Sequence, residues 1–109
     1  MKKLIRNKLA KKFLQKDPES VIYLTDEKKI RRYLAAKIME EAQEVADEIL
    51  RPVFKENNFC EEMADLEEIL KDTVIYLGVE PDGIDLASLN KRGEKGSFSD
   101  FALKVKKVK

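Results

Sequence analysis

The pattern of hydrophobic and polar positions along the chain predicts four helices and little other regular structure. Apolar residues recur at helical spacing over residues 3–15, 26–50 and 58–77, and a last short helix is predicted from Ile84 to about Arg92. The second and third segments are long enough to pack against each other as an antiparallel hairpin. The predicted fold class is therefore all-α, with this hairpin as the core of a four-helix-type bundle.

Residues that favour helix ends support these boundaries. Thr25 is suited to cap the second helix, and Pro52 cannot continue it. Asn57 or Asn58 is suited to cap the third helix, and Gly78 is placed to end it in a left-handed conformation. Outside the helices the patterns are weaker and predict a short strand over residues 20–24, a turn over 81–83, and either an edge strand or a disordered tail over 101–109.

The second helix has a wider apolar arc than one partner helix can cover. Its apolar residues run from Ile30 round through Ala42 and Ala46 to Leu50. This arc spans about 200° of the helix, against the roughly 100° that a surface helix needs to face a single core. We therefore expect a homodimer or homotetramer that buries the second face, and the alternative is coverage by the terminal segments of the same chain.

Charge is segregated along the chain, although the net charge is only +1. Residues 1–16 carry seven basic and no acidic side chains, residues 17–90 carry eight basic and nineteen acidic, and residues 91–109 carry seven basic and two acidic. This order suits a cation bound in the middle and anionic phosphates held from the sides. We interpret residues 1–109 as a single domain with a metal-binding hairpin, 26–77, between basic segments.

The scarcity of histidine and cysteine excludes several kinds of chemistry. Histidine is absent, so the chain has neither a Ser-His-Asp triad nor an imidazole metal site. Cys60 is the only cysteine, which excludes an intramolecular disulfide, and we expect a buried structural thiol. Because no apolar run resembles a signal peptide or a membrane span, a cytoplasmic protein with no membrane partner is expected.

Each helix of the predicted hairpin places carboxylates where its periodicity calls for an apolar residue. Glu41 lies within the apolar stripe of the second helix, and Glu44 lies at its edge one turn away. Glu62 lies on the apolar face of the third helix, and Asp65 flanks that face. An unpaired carboxylate buried there would cost several kcal/mol, and no lysine occupies a stripe position beside them, so a compensating ligand is expected.

The two pairs of carboxylates are expected to meet in space. Glu41 and Glu44 lie as far before the turn as Glu62 and Asp65 lie after it, and residues equidistant from the turn of a hairpin share one level. Four like charges cannot share a site without a cation between them. Oxygen ligands without histidine or cysteine favour Mg²⁺, or Mn²⁺, over zinc. The alternative is a solvated hairpin in which these spacings arise by chance.

Three motifs resemble a known family. Residues 37–44 (KIMEEAQE) and 61–65 (EEMAD) resemble the E-E-x-x-E and E-x-x-D signature of MazG-like all-α nucleotide pyrophosphohydrolases. Residues 3–8 (KLIRNK) resemble the K-L-V-R-D-K opening of a phosphoribosyl-ATP pyrophosphohydrolase-like subgroup, and residues 91–98 (KRGEKGSF) resemble its K-x-x-x-R-G-G-F close. The chain departs from these motifs where Asn7 replaces an acid and where Lys95 and Ser97 replace Arg and Gly.

The resemblance implies an enzyme that uses Mg²⁺ to hydrolyse a nucleoside triphosphate between the α and β phosphates, giving a monophosphate and pyrophosphate. It implies dimers or tetramers built on a four-helix core. It also implies the roles of individual residues: metal ligation by Glu41, Glu44, Glu62 and Asp65, support by Glu40, and phosphate contacts by Arg6, Lys8, Lys91 and Lys95. Independently of the resemblance, a metal-bound water is acidic enough to attack near neutral pH, and Glu41 or Glu44 can orient or deprotonate it.

Two other functions are compatible with the sequence. In the first, the protein is again a pyrophosphohydrolase, but its substrate is phosphoribosyl-ATP, as in histidine synthesis. The opening motif favours a relative of that biosynthetic enzyme over the enzyme itself. In a different class, the chain is a non-catalytic helical oligomerisation module whose basic ends touch nucleic acid. No basic patch interleaved with aromatic residues supports a nucleic-acid partner. Pyrophosphate release that depends on Mg²⁺ separates the enzymes from the module.

Overall fold

The computed structural model describes residues 2–108, and over that range it contains α-helices and no β-strand. The all-α prediction is thus confirmed. The predicted strand over 20–24 is wrong; of the two alternatives for the tail, the edge strand is not formed over the described residues 101–108, and Lys109 lies outside them. The helices are α1 (Asn7–Lys16), α2 (Glu27–Ile49), α3 (Glu56–Leu77) and α4 (Pro81–Lys95).

The two ends of the α2–α3 hairpin show why these residues form long helices. Asp26, and not the predicted Thr25, caps α2: its carboxylate accepts a hydrogen bond of 3.1 Å from the backbone N–H of Lys29. At the C-terminal end of α3, Gly78 adopts φ 69°, in the left-handed region. The N–H of Val79 donates to the carbonyl of Val74, and the N–H of Gly78 donates to Ile75. These bonds form a Schellman motif, and the prediction for Gly78 is confirmed.

The other predicted boundaries move by a few residues. α3 begins at Glu56 after Lys55, so neither Asn57 nor Asn58 is its cap. α4 begins at Pro81, where a turn was predicted, because the fixed φ of proline suits the first helical position and costs no needed N–H. Cys60 is exposed, so the prediction of a buried thiol is wrong.

The core lies between α2 and α3, which are the one pair of described helices packed extensively against each other. It is small: Ala10, Leu34 and Val45 are the buried apolar residues of the described chain. The radius of gyration is 18.1 Å, against about 13 Å for a compact domain of this length. Every residue of α4 is exposed. The chain is therefore far from covering its own apolar surface.

The second face of α2 stays open to solvent. Met39, Ile49 and Leu50 are all strongly exposed, as are the apolar residues of α4 and of the tail. The described terminal segments consequently do not cover the apolar arc of α2, which was the alternative to oligomerisation.

Candidate metal centre

The four predicted metal ligands lie on facing turns of α2 and α3. Carboxylate oxygens of Glu41, Glu62 and Asp65 all lie within 4.8 Å of one another. A second trio with the same spacing joins Glu41 to Glu40 and Glu44. Glu41 belongs to both, so it stands at the centre of a group of five carboxylates, here called the acidic cluster: Glu40, Glu41, Glu44, Glu62 and Asp65.

Burial of this cluster follows from helical periodicity. Glu41 follows Leu34 by seven residues and precedes Val45 by four, so all three project from one face of α2. That face packs against α3, and the side chain of Glu41 is only 6% exposed. The hairpin therefore carries a carboxylate into the small core that its apolar neighbours build.

Two buried oxygen atoms of the cluster have no hydrogen-bond partner in the described chain. They are Oε2 of Glu41 and Oε2 of Glu62. Leaving a buried polar atom unsatisfied costs about 1–3 kcal/mol, and more when it is charged. A cation between α2 and α3 would satisfy both atoms at once, so these residues could hold a metal ion.

Lys37 is a functional candidate that the sequence analysis missed. Its Nζ lies 3.1 Å from Oε1 of Glu41 and 3.6 Å from Oε2 of Glu40. The side chain is 17% exposed, so it reaches into the cluster from the edge of the apolar stripe. The spacing of four residues between Lys37 and Glu41 was the available signal.

The environment favours protonated carboxyls when no cation is bound. Burial raises the pKa of Glu41, although the hydrogen bond from Lys37 partly opposes this. The pKa of Glu44 is also raised, first by its hydrogen bond with Glu62 and then by burial. A metal ion bound at the cluster would compete with protons for these carboxylates.

Lys37 remains charged in this setting. Burial lowers the pKa of Lys37, but its hydrogen bond to Glu41 and the charges of Glu40 and Glu41 outweigh that effect, and the net shift is upward. Lys37 is therefore a permanent internal cation beside the cluster.

Arg6 and Lys3 bring two more positive charges to the cluster from the N-terminal segment. Nη2 of Arg6 lies 2.6 Å from Oδ1 of Asp65, and Nζ of Lys3 lies 3.2 Å from Oε1 of Glu40. The hydrogen bond to Asp65 raises the pKa of Arg6, although burial slightly opposes it. Of the residues predicted to contact phosphate, Arg6 is the one that the structure brings to the site.

The other three predicted phosphate contacts lie elsewhere. Lys8 is exposed on α1, and Lys91 and Lys95 are exposed on α4. Within residues 2–108 none of them pairs with a carboxylate of the cluster or lines the cleft beside it. A role for these lysines at the site of the same chain is therefore without structural support.

A cleft of about 240 Å³ opens beside the cluster. Its charged lining includes Lys37 and Glu41 on α2 and Asp65, Glu68 and Asp72 on α3. The N-terminal segment supplies the remaining wall. The cleft thus combines carboxylates with cations, which suits a polyphosphate bound through a metal ion better than it suits a neutral ligand.

Glu48 is a second buried carboxylate that the sequence analysis did not single out. It lies one turn beyond Glu44 on α2, and its side chain is 10% exposed. Its Oε1 lies 2.8 Å from Nε of Arg51, an ion pair without the alignment of a hydrogen bond. Glu48 belongs to neither trio, and its charged partner in the described chain is Arg51.

The charges and ligand types of the cluster fit one divalent ion of the Mg²⁺ type. All donor atoms are carboxylate oxygens, which Mg²⁺ and Mn²⁺ prefer. Five carboxylates face the cations Lys3, Arg6 and Lys37, so the local formal charge is −2 before any proton is shared. One divalent cation would balance it.

Comparison with protein families, with curated proteins and with solved structures gives no match to this chain. The similarity to MazG-like enzymes therefore stays a prediction that rests on the sequence motifs. Among the described helices, none combines the length and the apolar character that crossing a bilayer requires.

Proposed function

We propose that the protein is a Mg²⁺-dependent nucleoside triphosphate pyrophosphohydrolase that releases a nucleoside monophosphate and pyrophosphate. The observation that carries this proposal is the convergence of Glu41, Glu62 and Asp65 within 4.8 Å, with two buried carboxylate oxygens left unpartnered. Cleavage between the α and β phosphates rests on the resemblance of the motifs.

The cluster has the chemistry that such a reaction needs. When bound, Mg²⁺ would neutralise phosphate oxygens and acidify a water molecule, so no histidine is required. Glu41, Glu62 and Asp65 would hold the ion, and Glu44, which lies close to Glu41, would orient or deprotonate the attacking water. Arg6 at the rim would contact the phosphates.

A non-catalytic oligomerisation module is a weaker account of the same molecule. The exposed apolar surface is consistent with such a module. Oligomerisation alone does not explain why Glu41 is buried with an oxygen atom that lacks a hydrogen-bond partner. No observation distinguishes phosphoribosyl-ATP from other nucleotides as the substrate.

We propose further that the active molecule is a homodimer or homotetramer. The accessible surface is 10092 Å², against about 6,200 Å² for a compact monomer of 12.6 kDa. The difference exceeds the roughly 1,000–2,500 Å² that each subunit buries in an obligate dimer. A second copy that covers Met39, Ile49 and Leu50 of α2 would remove the largest apolar faces from water.

The experiment that tests the reaction is identification of its products by ³¹P NMR. A panel of nucleoside and deoxynucleoside triphosphates is incubated with the protein in Mg²⁺, in Mn²⁺ and in a chelator. We expect monophosphate and pyrophosphate with either metal and no product with the chelator. Diphosphate and orthophosphate would refute the proposed bond, and the absence of product from every nucleotide would favour the non-catalytic module.

A further inference from the structure

The N-terminal segment before α1 lies across the cleft and is tied to both helices of the hairpin. Lys3 pairs with Glu40 on α2, and Arg6 pairs with Asp65 on α3. Between them Leu4 and Ile5 are half-buried and line the cleft. Residues 3–6 therefore form a strap that bridges α2 and α3 over the acidic cluster.

This strap is held by weak forces. The side chains of Arg6 and Asp65 are 57% and 42% exposed, and ion pairs with such exposure contribute little to stability. On α1, which follows the strap, Ala10 is the one buried residue of the described helix. A strap attached in this way can open without unfolding the hairpin.

We propose that a divalent cation bound by the acidic cluster displaces the Arg6 end of this strap and so opens the cleft. The inference rests on the proposed function, because it requires a metal ion between α2 and α3. In the absence of metal, Arg6, Lys3 and Lys37 take the place of that ion as counter-charges to the carboxylates.

Arg6 and the metal ion compete for Asp65 for two physical reasons. First, Mg²⁺ holds its ligands at about 2.1 Å, which brings neighbouring ligand oxygens to about 3 Å from each other. The oxygens of Glu41, Glu62 and Asp65 now lie within 4.8 Å of one another, so a bound ion would draw Asp65 toward the other two ligands and compete with Arg6 for it. Second, the ion and the guanidinium repel each other across the same carboxylate.

After its displacement, Arg6 would remain on the strap beside the metal ion, where its guanidinium would be available to bind an anionic phosphate. Metal binding would thus have two consequences at once: it would open the cleft and free a phosphate-binding side chain. By thermodynamic linkage, if metal binding favours the open strap, the open strap must bind the metal more tightly than the closed strap does.

Limited trypsin digestion in the absence of nucleotide tests the strap directly. The measured quantity is the initial rate of cleavage after Lys3, with cleavage after Lys104 in the exposed tail as an internal standard. Mg²⁺ is compared with sodium chloride at equal ionic strength. In the wild type we expect Mg²⁺ to raise the Lys3 rate by about two- to five-fold, as the release of an exposed ion pair allows.

Two variants complete the test. Arg6→Gln should show the raised Lys3 rate without metal and no further response to Mg²⁺, and it should bind Mg²⁺ about two- to five-fold more tightly by calorimetry. Lys12→Gln removes the same charge from α1 at a residue without an ion pair in the described chain, and it should match the wild type in both measurements.

The outcomes separate the strap from the proposed function. If Mg²⁺ binds to the wild type and the Lys3 rate stays unchanged or falls, the strap proposal is overturned and the metal site stands. If Mg²⁺ binds to neither the wild type nor Arg6→Gln, the metal site fails and the strap proposal fails with it. If Mg²⁺ binds to Arg6→Gln and not to the wild type, Arg6 excludes the ion instead of being displaced by it, and the strap proposal is overturned.

Discussion

Nζ of Lys37 lies 3.1 Å from Oε1 of Glu41, one turn apart on the same helix, and both side chains are largely buried. Because of this ion pair, Glu41, the most buried carboxylate of the cluster, has a counter-charge when no metal is bound. Its other oxygen, Oε2, is the one left unpartnered. Lys37 therefore stabilises the metal-free hairpin, and it leaves one face of Glu41 open to a ligand.

Replacing Lys37 tests this dual role. In a chelator, Lys37→Gln should lower the free energy of unfolding by about 1–3 kcal/mol, because it leaves the buried Glu41 carboxylate without its cation. Saturating Mg²⁺ should recover much of that loss. Urea denaturation measures both quantities. Lys28→Gln, at an exposed position near the start of α2, is the matched control and should differ little from the wild type.

Removing a metal ligand should have the opposite effect on the metal-free protein. Glu62→Gln is expected to abolish the rise in melting temperature that Mg²⁺ produces in the wild type. Without metal the variant should be at least as stable as the wild type, because one of two adjoining carboxylates, Glu44 and Glu62, has lost its charge. Glu67→Gln, on the exposed side of α3, should keep the full Mg²⁺ response; an equal response in both variants would contradict the site.

The placement of the cluster was predictable, because it depends on local periodicity. Glu41 interrupts an apolar stripe, and the turn near Pro52 sets Glu41 level with Glu62 whatever the rest of the chain does. Gly78 was predictable for the same reason, since a helix end needs a left-handed residue.

Features that depend on side-chain reach or on chain path were not predictable. The role of Lys37 was not predicted because this residue lies at the edge of the apolar stripe, from which its long side chain reaches the buried Glu41. The contact of Arg6 with Asp65 spans 59 positions along the chain and depends on how the segment before α1 crosses the hairpin. Likewise, the sequence shows that Lys91 follows the hairpin, but it does not show where α4 lies relative to the acidic cluster.

The pH dependence of stability should carry the signature of the cluster. The pKa values of Glu41 and Glu44 are raised above the ordinary 4.5, so the folded protein holds these protons more tightly than the unfolded chain does. Their contribution to stability is complete below pH 4.5 and is lost as the pH rises through the raised values. In a chelator, the free energy of unfolding should therefore fall over this window.

Urea denaturation at a series of pH values measures this fall. Mg²⁺ should suppress it, because a bound ion competes with protons for the carboxylates. Glu44→Gln should show a smaller fall than the wild type, since one of the two groups no longer titrates. A wild-type stability that rises steadily over the same window in the chelator would show that the cluster is ionised and compensated without a metal.

Self-association should depend on the open face of α2. Sedimentation at micromolar concentration is expected to show a dimer or a tetramer of the 12.6 kDa chain. Leu50→Glu places a charge on that face, where Leu50 is now strongly exposed, and should shift the population toward monomer. Lys12→Glu, a charge change on α1, is the control. A wild type that sediments only as a monomer would contradict the proposed assembly.

The most direct test of the central claim compares two buried glutamates on one helix. Glu41 belongs to the trio on the facing turns, whereas Glu48 pairs with Arg51 outside it. The measurement is the Mg²⁺-dependent rate of monophosphate formation at saturating nucleoside triphosphate for wild type, Glu41→Gln and Glu48→Gln. If the cluster is the catalytic metal site, Glu41→Gln should lose about 10²-fold or more, and Glu48→Gln should stay within about three-fold of the wild type. Equal losses in the two variants, or full activity in Glu41→Gln, would contradict the account.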